Sequence, residues 1–501
     1  MSKQENVQDQ RKDHSEQAPV KVVPLIAVLL TGAFVAILNE TLMNVAITPI
    51  MHALDITKGM AQWLTTSYLL VIAILVPVSA FLIQRFTTRQ LYLTAMGLFG
   101  IGTVIAGFAP VFPVLLLGRI IQAAGTGILL PLFTNVVLAV IPPERRGRVM
   151  GLLGLVIMFA PALGPTVSGV IVDYLSWRWL FYFVIPIAAI SILYGIVSLK
   201  NVTEQTNPKI DIISLVLSTI GFGGIVIGFS SAGEGTGFGD PLVIGAIAAG
   251  TVSLFFFVLR QIKLKTPMLD MRAFSYPMFS LAIIVMMIVT MTMFATMIVM
   301  PMFLLDVLAF AAVTVGLVML PGGLVNGALS PIMGYLFDKF GPRWLLIPGM
   351  LMLIATIFML RMLDQGAGPV TVAVLYIFLM VSVAMVMMPA QTNGLNQLPP
   401  YLYPHGAAIA NTLMQVSAAI GTALFITIMT MGEQRYLSGI AQPVPADRTL
   451  ALAAGVKLSF TIGLVFAILA FILALFIKRV PVTSREAVQS TLSPDKKPKV
   501  S

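Results

Sequence analysis

Glu40 and Arg119 are opposite charges set in stretches too apolar to hold either one idly. Glu40 interrupts GAFVAILNETLMNVAITPI and Arg119 interrupts LLLGRIIQAAGTGILLPLF. A charge inside hydrocarbon costs about 2.5–3.5 kcal/mol on insertion scales, so each needs a partner or a wet cavity. A carboxyl in low dielectric beside a cation at variable distance is a proton switch, because burial and the cation favour opposite protonation states. Two readings of Arg119 stand at this point: one half of such a switch, or a structural ion pair joining two helices. Depth permits the first. Arg119 lies seven residues, about 10 Å, into its apolar run. Glu40 lies eleven residues, about 16 Å, from the far end of its own, so the two meet in the same half of a membrane.

No other chemistry has its residues. The chain has no GxxxxGK[ST] and no HExxH, and His14, His52 and His405 are spread beyond metal-ligand spacing. With no cysteine, disulfides, thiol catalysis and cysteine-held metals are excluded. No cofactor and no metal site is expected, which leaves an ion gradient as the energy source.

The elements that position the two charges follow from composition. Of 501 residues 58% are hydrophobic and 10% charged, and the mean hydropathy is +0.97, values of an all-α polytopic membrane protein. Apolar runs long enough to cross a bilayer fall at 22–51, 60–83, 90–110, 112–141, 147–173, 179–199, 211–230, 241–262, 276–305, 313–337, 343–363, 369–393, 404–431 and 452–478. Fourteen spans put both termini on one side. Of the 30 Lys and Arg residues, 23 fall in the tails and loops of that side and five in the opposite loops, so both termini are expected to be cytoplasmic. The net charge of +10 is thereby explained by orientation and not by nucleic acid. Residues 1–21 and 480–501 read as polar tails, the first disordered and without a cleavable signal.

An internal repeat divides the remainder. SAFLIQRFTTRQL (79–91) recurs as SPIMGYLFDKFGPRWL (330–345), with Gln84 matching Asp338 at an offset of 254. IPPERRGRVMG (141–151) recurs as LPPYLYPHGAA (398–408) at an offset of 257. Two six-helix bundles, 22–200 and 266–479, are thus separated by an inserted helix pair at 201–265. Such duplication suits transporters that rock around a midplane site.

ILNETLMNVA (37–46), QWLTTSYLL (62–70), GRIIQAAGTG (118–127), APALGPTVSG (160–169), WRWLF (177–181) and GYLFDKFGPR (334–343) stand in order along this frame. In that combination the chain resembles the fourteen-helix drug:proton antiporter branch of the major facilitator superfamily, and within it the lincomycin-resistance-type multidrug exporters. The resemblance implies the major facilitator fold, two six-helix bundles plus two inserted helices. It implies proton-coupled export of small amphiphilic compounds, neutral or monocationic, from a multi-pass cell-membrane protein, with Glu40 and Arg119 as the coupling pair. It also implies gating roles for Arg85, Arg89, Asp338, Lys339, Gly341 and Arg343 in the inner loops. Pro161, Gly164, Pro165 and Gly169 of the fifth span are implied to control the seal between halves; simple helix packing is the alternative for them, and a capped turn with orientation charges is the alternative for the loop residues.

Departures from the pattern matter. The first inner loop has Ala80, Gln84 and Thr87 where Gly, Asp and Gly are usual, which predicts a weaker latch there. Asn39 stands at the usual acidic position and Glu40 one residue later; Val184 replaces a common asparagine. Candidate substrate contacts are Asn44, Trp63, Tyr68, Gln122, Met291, Phe294, Gln391, Asn411 and Gln415, polar groups that membranes penalise or soft and aromatic ones that suit varied shapes. Trp63 also reads as an interfacial anchor and the methionines as packing; Lys457 is expected to snorkel. Lipid and protons are the other expected partners, with no obligatory protein partner. A passive or uptake carrier for an amphiphilic nutrient or lipid is the alternative function, and a membrane sensor or enzyme the alternative of another class.

Overall fold

The computed structural model describes residues 22–56, 58–202, 205, 211–232, 238–310, 312–364, 366–438, 440 and 444–480. The side chains of Asn44 and Pro165, and both tails apart from Val480, lie outside the described residues. Among the described residues fourteen α-helices follow one another: α1 (Val22–Leu54), α2 (Lys58–Arg85), α3 (Thr88–Gly107), α4 (Phe112–Val140), α5 (Arg146–Tyr174), α6 (Trp179–Ser198), α7 (Ile212–Ser231), α8 (Pro241–Lys263), α9 (Pro277–Met302), α10 (Ala312–Phe340), α11 (Arg343–Arg361), α12 (Pro369–Asn396), α13 (Tyr403–Leu437) and α14 (Pro445–Leu475). No strand occurs among the described residues. Thirteen of these helices are long and apolar enough to cross a membrane, and α5 matches them in length at 29 residues. Helix is what hydrocarbon demands, since each backbone donor and acceptor must find its partner within the segment.

Local chemistry sets the helix ends. Proline in the first turn opens α4, α8, α9, α12, α13 and α14, where its missing N–H is not needed. Thr87 opens α3 with a capping box: its hydroxyl accepts from Gln90 N at 3.1 Å and Gln90 Oε1 accepts from Thr87 N at 3.1 Å. At the matching bend of the second half, Gly341 closes α10 with φ +83, a conformation that strains any L side chain.

Helix pairing repeats between halves. In the first, α5 and α6 pack on α1, α4 on α2 and α3, and α6 on α3; in the second, α13 and α14 pack on α9, α12 on α10 and α11, and α14 on α11. The inserted α7 and α8 pack on each other, and α7 also covers α2 and α13. Asp211, at the start of α7, receives two hydrogen bonds from Arg260 of α8, at 2.7 and 3.0 Å, and one from Ser214 at 2.6 Å. Gln261 donates to Ser214 and accepts from Leu269 N, which ties the pair to the segment leading into α9.

The halves meet along α5–α10 and, in the symmetric position, α2–α13. Glycines make the first seam. A Cβ on Gly151 would lie 2.7 Å from Pro331 Cα, one on Gly154 3.0 Å from Ser330 Cβ and Met388 Cγ, and one on Gly334 would strike the Gly147 carbonyl. Spaced along one face of α5, these residues let two backbones touch.

Candidate functional site

α4 carries the site because its glycines bring α3 close. A Cβ on Gly118 would sit 2.8 Å from Ala106 N, so only glycine lets α3 approach near enough for Thr103 to reach Gln122. Arg119, Gln122 and Thr126 then share a helix face by their spacing of three and seven.

Their hydrogen bonds have one consistent direction. Thr103 Oγ1 donates to Phe99 O at 2.6 Å, so it accepts from Gln122 Nε2 at 2.8 Å. That fixes the amide, and Gln122 Oε1 accepts from Arg119 Nη1 at 3.1 Å. Thr126 Oγ1 donates to Gln122 O at 3.2 Å and so accepts from the Tyr68 hydroxyl at 2.7 Å. Arg119 Nε points to Leu64 O at 3.4 Å, and its guanidinium carbon lies 4.0 Å from the centre of the Tyr68 ring. Arg119, Gln122 and Tyr68 are each 0% exposed.

Among the described residues one buried donor of this group, Arg119 Nη2, has no hydrogen-bond partner. Half-buried Glu40 lies within electrostatic range of Arg119, yet no ion pair at 4.0 Å or less joins them. Chemically this is a cation held by neutral groups, with one donor left for an anion or water.

Of the fifth-span residues, Gly164 faces α1. A Cβ on Gly164 would run into Thr41 of α1, and Ser168 donates to Leu42 O at 2.7 Å, so this stretch of α5 presses on the part of α1 that carries Glu40. Gly169 has open space around it, and Pro161 is half-buried.

The inner-loop residues form two unlike latches at the end of the molecule where α1 begins and α14 ends. Asp338 caps α5, accepting from Gly147 N at 2.9 Å and Arg148 N at 3.0 Å. Its counterpart Gln84 meets His405 of α13 at 3.1 Å, where the ring's Nδ1 accepts from Asp270 N at 3.2 Å. The first-half latch therefore has a neutral side-chain pair where the second has a charged helix cap. Arg146 lies between them, donating to Asn396 at 2.9 Å and to the Tyr403 hydroxyl at 3.2 Å, with the Tyr403 ring 4.9 Å away. Arg89 donates to Ile196 O at the end of α6 and Arg343 to Ile477 O, while Arg479 reaches Asp338 O at 3.1 Å. Lys339 is exposed over Phe340, and exposed Arg85 points from the last turn of α2.

The described substrate candidates lie in unlike surroundings. Tyr68 gives its ring face to Arg119, and Gln122 spends both amide atoms inside the site, so neither is free for a ligand. Trp63 is 48% exposed. Met291 packs under Gly421 of α13; Phe294 and Gln415 are half-buried, Gln391 is buried, and Asn411 donates to Ala407 O of its own helix. Lys457 reaches the exposed loop residue Asp364 at 3.2 Å, beside a cavity of about 350 Å³. Sequence reasoning missed Thr103, Thr126, Gly147, Gly151, Gly154, Tyr403 and the latch role of His405; of these only the Thr126 spacing and the glycine spacing carried a signal.

Residues 29–422 match the family described as the Major Facilitator Superfamily. The chain is 48% identical over 464 residues to the lincomycin resistance protein LmrB of Bacillus subtilis, covering 92% of this chain and 97% of that one. It is 25% identical over 418 residues to the probable multidrug resistance protein EmrY of Escherichia coli, covering 83% and 82%. Among solved structures, the proton:xylose symporter XylE bound to 6-bromo-6-deoxy-D-glucose superposes with a TM-score of 0.62 at 15% identity, over 94% of this chain and 99% of that one. With the family spanning most of the chain, near full-length relatives and two repeated bundles of apolar helices, this multi-pass membrane protein belongs to the Major Facilitator Superfamily and is a transporter, not an enzyme.

Proposed function

We propose that the chain exports small amphiphilic drugs, neutral or singly charged, in exchange for protons by alternating access. The observation that carries this reading is Arg119, wholly buried, held by neutral groups, with Nη2 unpartnered among the described residues and Glu40 near it but joined to it by no ion pair. Glu40 is the proton carrier: it binds a proton when apart from the guanidinium and gives it up when drawn to it. The loop charges make the latched face cytoplasmic, so the arrangement described is the one closed to the cytoplasm. The relatives named for lincomycin and multidrug resistance supply the substrate class. One proton moving down a potential of 100 mV contributes about 2.3 kcal/mol, enough for roughly a 50-fold gradient of a neutral compound.

Glu40→Gln tests the reading in inside-out vesicles with lincomycin as probe. Loss of accumulation driven by a pH gradient, with lincomycin binding retained, is expected. Accumulation at the wild-type rate would remove Glu40 from coupling. Full-speed lincomycin counterflow that ignores the pH gradient in the unaltered protein would favour the passive carrier.

A further inference from the structure

Tyr68 holds a place in the site that a ligand-stacking residue cannot. Its ring lies 4.0 Å from the Arg119 guanidinium carbon, it is 0% exposed, and its hydroxyl is pinned by Thr126, which is itself pinned by the α4 backbone. Gln122 is fixed just as firmly from α3 through Thr103. The guanidinium therefore rests between a ring whose tilt is set by one hydroxyl and a carbonyl whose direction is set by another. Neither support is an anion, and neither changes charge in the working pH range.

The repeat sharpens this. At the offset of 254, Tyr68 corresponds to Gly322 of α10; at 257, Arg119 corresponds to Tyr376 of α12. A Cβ on Gly322 would strike the Tyr376 ring. Each half thus places one phenol ring at this helix crossing, and only the first half adds a cation to it.

We propose that Tyr68 is a positioning residue whose ring keeps Arg119 in place while the coupling carboxyl is neutral, and so sets the pH at which Glu40 exchanges its proton. The proposal rests on the proton-coupled reading above. The charged or titratable groups that face Arg119 among the described residues are Glu40 from α1 and Tyr68 itself from α2. From α3 comes only the Thr103 hydroxyl, through Gln122, and α5 and α13, the other helices packed on α4, add no charge to it. Without the ring, the cation leans on the one anion in reach, and Glu40 keeps its charge to lower pH.

The test is proton release on lincomycin binding, followed against pH in the purified full-length protein, beside lincomycin affinity. Tyr68→Phe keeps the ring and should keep a midpoint close to that of the unaltered protein. Tyr68→Leu should lower it by about one pH unit while changing affinity only a few-fold. Tyr68→Met, which fills the same space without an aromatic face, should move it the same way, and it stands in should the leucine variant not fold. An unshifted midpoint in folded Tyr68→Leu, or affinity lost without a shift, overturns the proposal and leaves coupling intact. An unaltered protein that releases no proton overturns the coupling reading, and this inference with it.

Discussion

Replacing Arg119 by lysine keeps the charge and removes the shape. A planar fork serves Gln122 Oε1, Leu64 O and the Tyr68 face together, whereas an ammonium serves one of them. Arg119→Lys is therefore expected to lose pH-driven lincomycin transport by tenfold or more, with near-normal amounts in the membrane. Two α5 glycines separate in the same way. Gly164→Leu drives a side chain into Thr41, beside Glu40, and should abolish exchange, whereas Gly169→Ala, with open space around it, should exchange at the rate of the unaltered protein. The sequence displayed the pair Glu40 and Arg119 because membranes penalise charge, and it displayed Gln122 and Thr126 through helical spacing. Thr103 was silent in it, since the approach of α3 to α4 is a property of glycines on both helices at once.

Between elements, the α5 cap offers a measurable contribution. Asp338 accepts two N–H groups from the first turn of α5, where the helix dipole also favours a negative charge. Asp338→Asn should weaken the latched state by about 1–2 kcal/mol, roughly tenfold in its population, read as increased labelling of cysteines placed in the α5–α10 seam. The α7–α8 pair has its own pH signature. Hydrogen bonds from Arg260 hold the Asp211 carboxyl down to about 2, below its ordinary value, so this tie is fully present above about pH 4. It is lost as pH falls through about 2, while Asp211→Asn should remove it at every pH; hydrogen exchange in the first turn of α7 reads both. Helix ends were less legible than helices. The apolar pattern places the last span at 452, yet α14 starts at Pro445, because Asp447 and Arg448 hide a helix turn that stands outside the hydrocarbon. Thr87, read as a missing glycine, is a helix cap.

At the scale of the whole molecule, the repeat in the inner loops announced the pairing of helices, and the pairing recurs helix for helix. Where the halves touch could not be read, because a seam depends on faces presented by both. Gly334→Val should force α10 from α5 and shift the protein toward the state open at the latched face, seen as faster labelling of a single cysteine there; the chain has no cysteine of its own to remove. One contact says more about origin than about gating. Arg146 and Tyr403 occupy equivalent places, each opening its helix after a three-residue 3-10 turn, and they touch each other. In a two-fold dimer of single bundles, a residue so placed faces its own copy, and a pair of arginines there would repel. Joined in one chain, the two sides of the axis carry different residues, a cation on one and on the other the ring and hydroxyl that receive it.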